Sequence, residues 1–89
     1  MCDHLDSIEL NRPDEEAKAE AVCQDCVDEG SRWVHLRMCR VCGHVGCCDS
    51  SPKLHARRHF DRTAHPIVTS MEPKERWSYC WVDDELLQL

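Results

Sequence analysis

Cys39-Arg40-Val41-Cys42-Gly43-His44-Val45-Gly46-Cys47-Cys48 runs into Asp49-Ser50-Ser51-Pro52, and three further histidines follow at His55, His59 and His65. Thiols two residues apart, as in Cys39 and Cys42, both reach one tetrahedral ion from a tight turn. Gly43 relieves that turn. Cys47 and Cys48 are adjacent on an extended chain, so they point to opposite sides and serve different sites. Ser51 suits a helix N-cap and Pro52 the first helical position, because its missing N–H would have no partner there. A helix from about Pro52 to Arg62 then sets His55 and His59 four residues apart, on one side. Lys53, Arg57, Arg58 and Arg62 are spread around that helix and read as a solvated face.

Eighty-nine residues allow one small domain, here 1–89, with a core over about 2–83 and an acidic tail over 83–89. One Phe, one Tyr and three Trp make a thin core, and domains near this size often need staples. Eight cysteines and six histidines supply them. Disulfides are the alternative to metal. Two C-x-x-C pairs, Cys23/Cys26 and Cys39/Cys42, and histidines interspersed with the thiols favour zinc. No apolar leader opens the chain, so a reducing, cytoplasmic setting is expected. No apolar run reaches membrane-spanning length. A net charge of −6 argues against nucleic acid, whose binding needs cationic side chains. A monomer is expected.

Around the central stretch the chain reads as short elements. Cys2-Asp3-His4 is a C-x-H pair; taken alone, it is more simply a free thiol beside a solvated histidine. Pro13 followed by acidic residues and alanines suits a short surface helix. Cys23-Gln-Asp-Cys26 reads as a tight turn. Trp33 to Met38 alternates as a strand, with Val34, Leu36 and Met38 on a core face and Trp33, His35 and Arg37 on the other. Trp33 either forms part of a binding platform or covers the core edge. His35 and His44 lack ligand-spaced partners and read as ordinary histidines. A second strand starts near His65. In a third, Arg76 to Val82, Trp77, Tyr79 and Trp81 share one face, and Ser78, Cys80 and Val82 the other. The aromatic face is read as the outer one.

Eight cysteines with His4, His55, His59 and His65 make twelve ligands, enough for three tetrahedral sites. Spacing leaves sequential and interleaved pairings open, although interleaving closes longer loops and stabilises a small fold more. The order C-x-H, C-x-x-C, Trp, C-x-x-C-G-x-x-x-C, H-A-x-x-H, H-P and a Tyr/Cys strand resembles the UBP-type zinc finger, in particular its stand-alone bacterial members. That family binds ubiquitin tails beside deubiquitinase catalytic domains and in some deacetylases and ubiquitin ligases. The resemblance spans Cys2 to about Asp83. It implies an α+β fold, a twisted antiparallel sheet with one main helix and interleaved zinc sites. One ion would take Cys23, Cys26, Cys47 and His55, and a second Cys39, Cys42, His59 and His65. A third would use Cys2, His4 and Cys80. Trp77 stands where the family has another cysteine, so Cys48 or water completes that set.

The same resemblance implies a non-catalytic interaction module whose aromatic pocket, at Trp33, Tyr79 and Trp81, takes a free C-terminal tail of a ubiquitin-like protein or peptide. The family places an arginine after its Cys-Gly pair, whereas Asp49 stands here. Arg37 and Arg76 are the candidate replacements. Two other classes remain to be weighed. A small zinc enzyme would need the incomplete third site, with Asp3 or Asp6 as acid or base, or a Cys48 nucleophile. A purely structural finger would need none of this.

Overall fold

The first C-x-x-C pair does not sit in a simple turn. In the computed structural model, which describes residues 7–48 and 53–87, Cys23 is the N-cap of a six-residue helix, α2 (Gln24–Glu29). Cys26 therefore lies one turn along from Cys23, on the same side. Gly30 ends the helix in the left-handed conformation at φ 71°. An earlier helix, α1 (Glu15–Glu20), is capped by Asp14, whose carboxylate accepts from the Ala17 N–H, as its composition suggested.

Five short strands follow in one antiparallel sheet: β1 (Leu36–Cys39), β2 (Val45–Cys47), β3 (Ile67–Ser70), β4 (Ser78–Cys80) and β5 (Glu85–Leu87). Their order is β2-β1-β3-β4-β5. The register pairs Leu36 with Cys47, Met38 with Thr69, Ile67 with Cys80 and Cys80 with Glu85. Side chains alternate across a sheet, so these residues define one face. Arg37, Gly46, Val68, Tyr79 and Leu86 define the other.

Three sequence expectations change here. β1 begins at Leu36, after a bend at Val34, so the alternation does not extend back to Trp33. Val34 is left exposed, and Trp33 packs against the buried cluster instead. The segment from Glu85 is no loose tail, for it pairs with β4 as the edge strand and packs the half-buried Leu87 against Ile67 and Cys80.

The long helix, α3 (His55–Thr63), starts later than Pro52. Leu54 takes a left-handed conformation, φ 51°, which an L-residue adopts at some cost and which breaks the helical run. The His55 N–H donates to the Cys47 sulfur at 3.2 Å, standing in for a side-chain cap. Ser51 and Pro52 lie outside the described residues. α3 crosses β2 at Gly46, where an added Cβ would sit 2.6 Å from the Ala56 nitrogen. Only glycine lets the helix backbone come that near the strand.

The core is thin, as composition required. One cluster joins Cys23, Cys26, Leu36, Met38, Cys47 and Met71, so half its members are thiols. The second centres on Ile67 and Cys80, with Ile8 and Leu87 against them. A core this small supplies only a few kcal/mol, so the fold leans on other staples.

Candidate metal centres

The residue pattern brings two sets of four donors together. In the first, α2 delivers Cys23 and Cys26, β2 delivers Cys47 and the first residue of α3 delivers His55. Cys26 and Cys47 sulfurs are 3.7 Å apart. His55 Nδ1 lies 3.3, 3.2 and 3.4 Å from the sulfurs of Cys23, Cys26 and Cys47. In the second set, Cys39 is the last residue of β1, Cys42 comes from the turn after it, His59 from α3 and His65 from the loop beyond it. Cys42 Sγ is 3.4 Å from His59 Nε2, and Cys39 Sγ is 3.5 Å from His65 Nδ1. Within each set all donor atoms lie within 4.8 Å of one another.

These gaps fit a tetrahedral zinc ion. Zinc–sulfur and zinc–nitrogen lengths of about 2.3 and about 2.0 Å set edges of about 3.8 Å between sulfurs and about 3.5 Å between sulfur and nitrogen. The donor chemistry agrees. Burial, and then the neighbouring Cys23 and Cys47, push the Cys26 thiol up to about 12. Burial likewise raises Cys23 and Cys39. Three thiols packed without a cation resist ionisation, and a divalent ion reverses that balance. Burial, with His44 and His65 nearby, lowers His59 to about 4, keeping its ring neutral and available as a ligand.

Supporting residues were less visible in the sequence. The Glu29 carboxylate is 2.9 Å from His55 Nε2. A proton on Nε2 donated to Glu29 leaves the Nδ1 lone pair facing the thiols, the tautomer a metal needs. Asp25 meets His44 at 2.9 Å, and His44 stacks on His59. Only an acidic residue inside or just after the first C-x-x-C could have pointed to either carboxylate.

The third set is not assembled among the described residues. Cys2 and His4 lie outside them, as do Asp3 and Asp6. Cys80 is buried at Ile67, with its sulfur 3.7 Å from an Asp83 carboxylate oxygen. Cys48 and Cys80 cannot complete one site. They face opposite sides of the sheet, and β1 and β3 separate their strands. Three strand spacings of about 4.8 Å put them far beyond a shared ion.

On the face away from α2 there is a groove of about 190 Å³ lined by Arg37, Cys48, Val68, Trp77, Tyr79, Trp81 and Leu86. The Arg37 guanidinium lies 4.5 Å from the Trp77 ring centre. Tyr79 meets Trp81 edge-on at 5.3 Å, and Phe60 of α3 stacks on Trp81 at 5.7 Å. The Tyr79 hydroxyl donates to Asp84. Of the residues expected at an aromatic pocket, Tyr79, Trp81 and Arg37 line it. Trp33 does not, and Trp77 stands there in addition. Arg76 lines a separate polar cleft with Arg12, Lys18 and Arg40. Asp49 lies outside the described residues.

The family model for the Zn-finger in ubiquitin-hydrolases and other proteins, zf-UBP, matches residues 23–88. The chain belongs to the zf-UBP family. Among curated relatives, NAD-dependent deacetylase sir2A of Dictyostelium discoideum is 37% identical over 57 residues, 64% of this chain and 10% of that protein. Human BRCA1-associated protein is 31% identical over 60 residues, covering 67% of this chain and 9% of its own length. Ubiquitin carboxyl-terminal hydrolase 44 of Ailuropoda melanoleuca is 32% identical over 63 residues, 71% and 8% respectively. The chain thus spans about a tenth of the length of the curated relatives it matches. The solution structure of protein RPA1320 from Rhodopseudomonas palustris superposes at a TM-score of 0.81 with 47% identity, covering 100% of this chain and 82% of that one. The two donor sets are therefore those of a zf-UBP zinc-binding module, and none of the described helices is long and apolar enough to cross a membrane.

Proposed function

We propose that this zf-UBP module is a non-catalytic, cytoplasmic, monomeric binding domain that takes a free C-terminal tail of a ubiquitin-like protein or peptide in the aromatic groove. The observation that carries this reading is Arg37 lying over Trp77 inside a groove otherwise walled by Trp81, Tyr79, Val68 and Leu86. Flat rings hold a thin backbone, and a guanidinium meets the terminal carboxylate with paired, charge-assisted hydrogen bonds. Arg37 thereby does from β1 what the family's arginine does at the sequence position where this chain has Asp49. Both metal sets have four protein donors and leave no open coordination position, which supports a structural and not a catalytic use of zinc. A third ion, held by Cys2, His4 and Cys80, belongs to the same reading.

The test is a titration followed by the fluorescence of Trp77 and Trp81. A peptide ending in Gly-Gly with a free carboxylate is expected to bind about tenfold or more tightly than its amidated form, the scale of a lost charged hydrogen bond. Arg37→Ala should erase that difference. Equal affinity for the two peptides in the unmodified protein removes the carboxylate reading.

A further inference from the structure

The two centres share more than the sheet. α3 carries one ligand to each, His55 to the first and His59, one turn later, to the second. A second connection runs outside the ligands. Asp25 lies between Cys23 and Cys26, in the first turn of α2. Its carboxylate is 2.9 Å from Nε2 of His44, a residue of neither donor set. The His44 ring lies on the His59 ring, with centres 4.3 Å apart and planes within 7°. His65, a fellow ligand, meets His59 edge-on at 5.4 Å. The His59 ring, 6% exposed, thus packs on His44 as well as on a fellow ligand.

α2 has six residues, too few to be helical unaided. An ion gripping Cys23 and Cys26 fixes the turn that holds Asp25. We propose that Asp25 and His44 are positioning residues that couple the two metal centres. An ion in the first centre fixes Asp25, Asp25 holds His44, and His44 presents His59 to the second ion. Linkage makes the effect reciprocal, so the second ion strengthens binding of the first by the same factor. The inference uses zinc binding at both centres and is independent of what the aromatic groove takes.

The test is stepwise loading of metal-free protein with cobalt(II). Centres with three and with two thiolates absorb differently, and native mass spectrometry counts ions per chain. At one ion per chain the unmodified protein should hold mostly zero or two ions. In Asp25→Ala and in His44→Ala the one-ion form should accumulate with its ion in the three-thiolate centre, and the second centre should weaken by about tenfold. Asp25→Asn, which keeps a hydrogen bond to His44, should restore paired loading. The double variant should be no weaker than either single one, because the two residues act in series. Unchanged loading in Asp25→Ala assigns all coupling to α3 and overturns the proposal. So does a double variant in which the two losses add. An unmodified chain that takes up no ion sinks the metal reading itself, a different result from two ions with unaltered variants.

Discussion

The two metal centres have equal numbers of ligands and unequal surroundings. Cys23, Cys26, Cys47 and His55 are all buried, and their three sulfurs form half of the main core cluster. In the second centre Cys39 and His59 are buried, but Cys42 is exposed and His65 half-buried. The first centre occupies the place where a larger domain would put leucines. The second ties the end of α3 to the turn after β1. One ion stands in for a core, and the other for a latch.

This contrast is open to attack by deletion. Cys26→Ala removes a donor and leaves two buried thiols and an imidazole without their ion. Structural zinc contributes about 10–16 kcal/mol in small fingers, more than this core supplies. Cys26→Ala is expected to lose cooperative melting and amide dispersion, as full chelation should. Cys42→Ala should keep one ion per chain and still melt cooperatively, at a lower temperature. Circular dichroism melts with metal counts check both. If the two variants are equally unfolded, core and latch are not distinct roles.

The candidate ligands were legible in the sequence because a tetrahedral ion imposes local spacing, but their division into two interleaved sets came from the resemblance to the UBP-type family, since spacing alone left the pairing open. Two thiols two residues apart, and two imidazoles four apart on a helix, follow from chain geometry alone. The parity of adjacent cysteines also held: Cys47 faces the first centre and Cys48 the groove. What failed depended on partners distant in sequence. α2 shows no apolar period, and its second cysteine is placed by the metal set. β5, Glu85-Leu86-Leu87, is three residues following two aspartates, too short to show a period of its own, and is a strand through its pairing with β4. Trp33 alternates correctly on paper, but the chain bends at Val34 before β1 begins. His44 has no spaced partner, yet it stacks on a ring fifteen residues away.

A milder perturbation is acid. With no ion bound, burial first and then its histidine neighbours push the His59 ring down from the ordinary 6.5 to about 4. As pH falls below 6.5 the unfolded chain takes up a proton that the folded chain refuses. The stability this ring contributes is fully present above about pH 6.5 and is lost as pH falls toward 4. A proton on His59 also competes with the ion, so metal leaves over the same descent. Melting temperature against pH should fall across that window. His59→Cys, whose thiol must shed a proton held more tightly than an imidazole's before it can ligate, should steepen that fall.

The smallest expected effect concerns Glu29, which touches no ion. Its carboxylate orients His55 from Nε2, and it stands on the exposed side of α2. Glu29→Gln can keep a hydrogen bond to the ring but removes the charge that favours a proton on Nε2. Losing such a partner weakens metal binding by about tenfold or somewhat more. Competition with a chromogenic chelator should therefore show the first centre of Glu29→Gln giving up its ion more readily, with the second centre little affected beyond the coupling between them. Because the first centre is also the core, even this modest loss should appear in the melt of the loaded protein. An equal loss at the exposed latch would produce a smaller shift. A Glu29→Gln protein indistinguishable from the parent in both measurements would mean that the packing of α3 over Gly46, and not the carboxylate, sets the His55 ring.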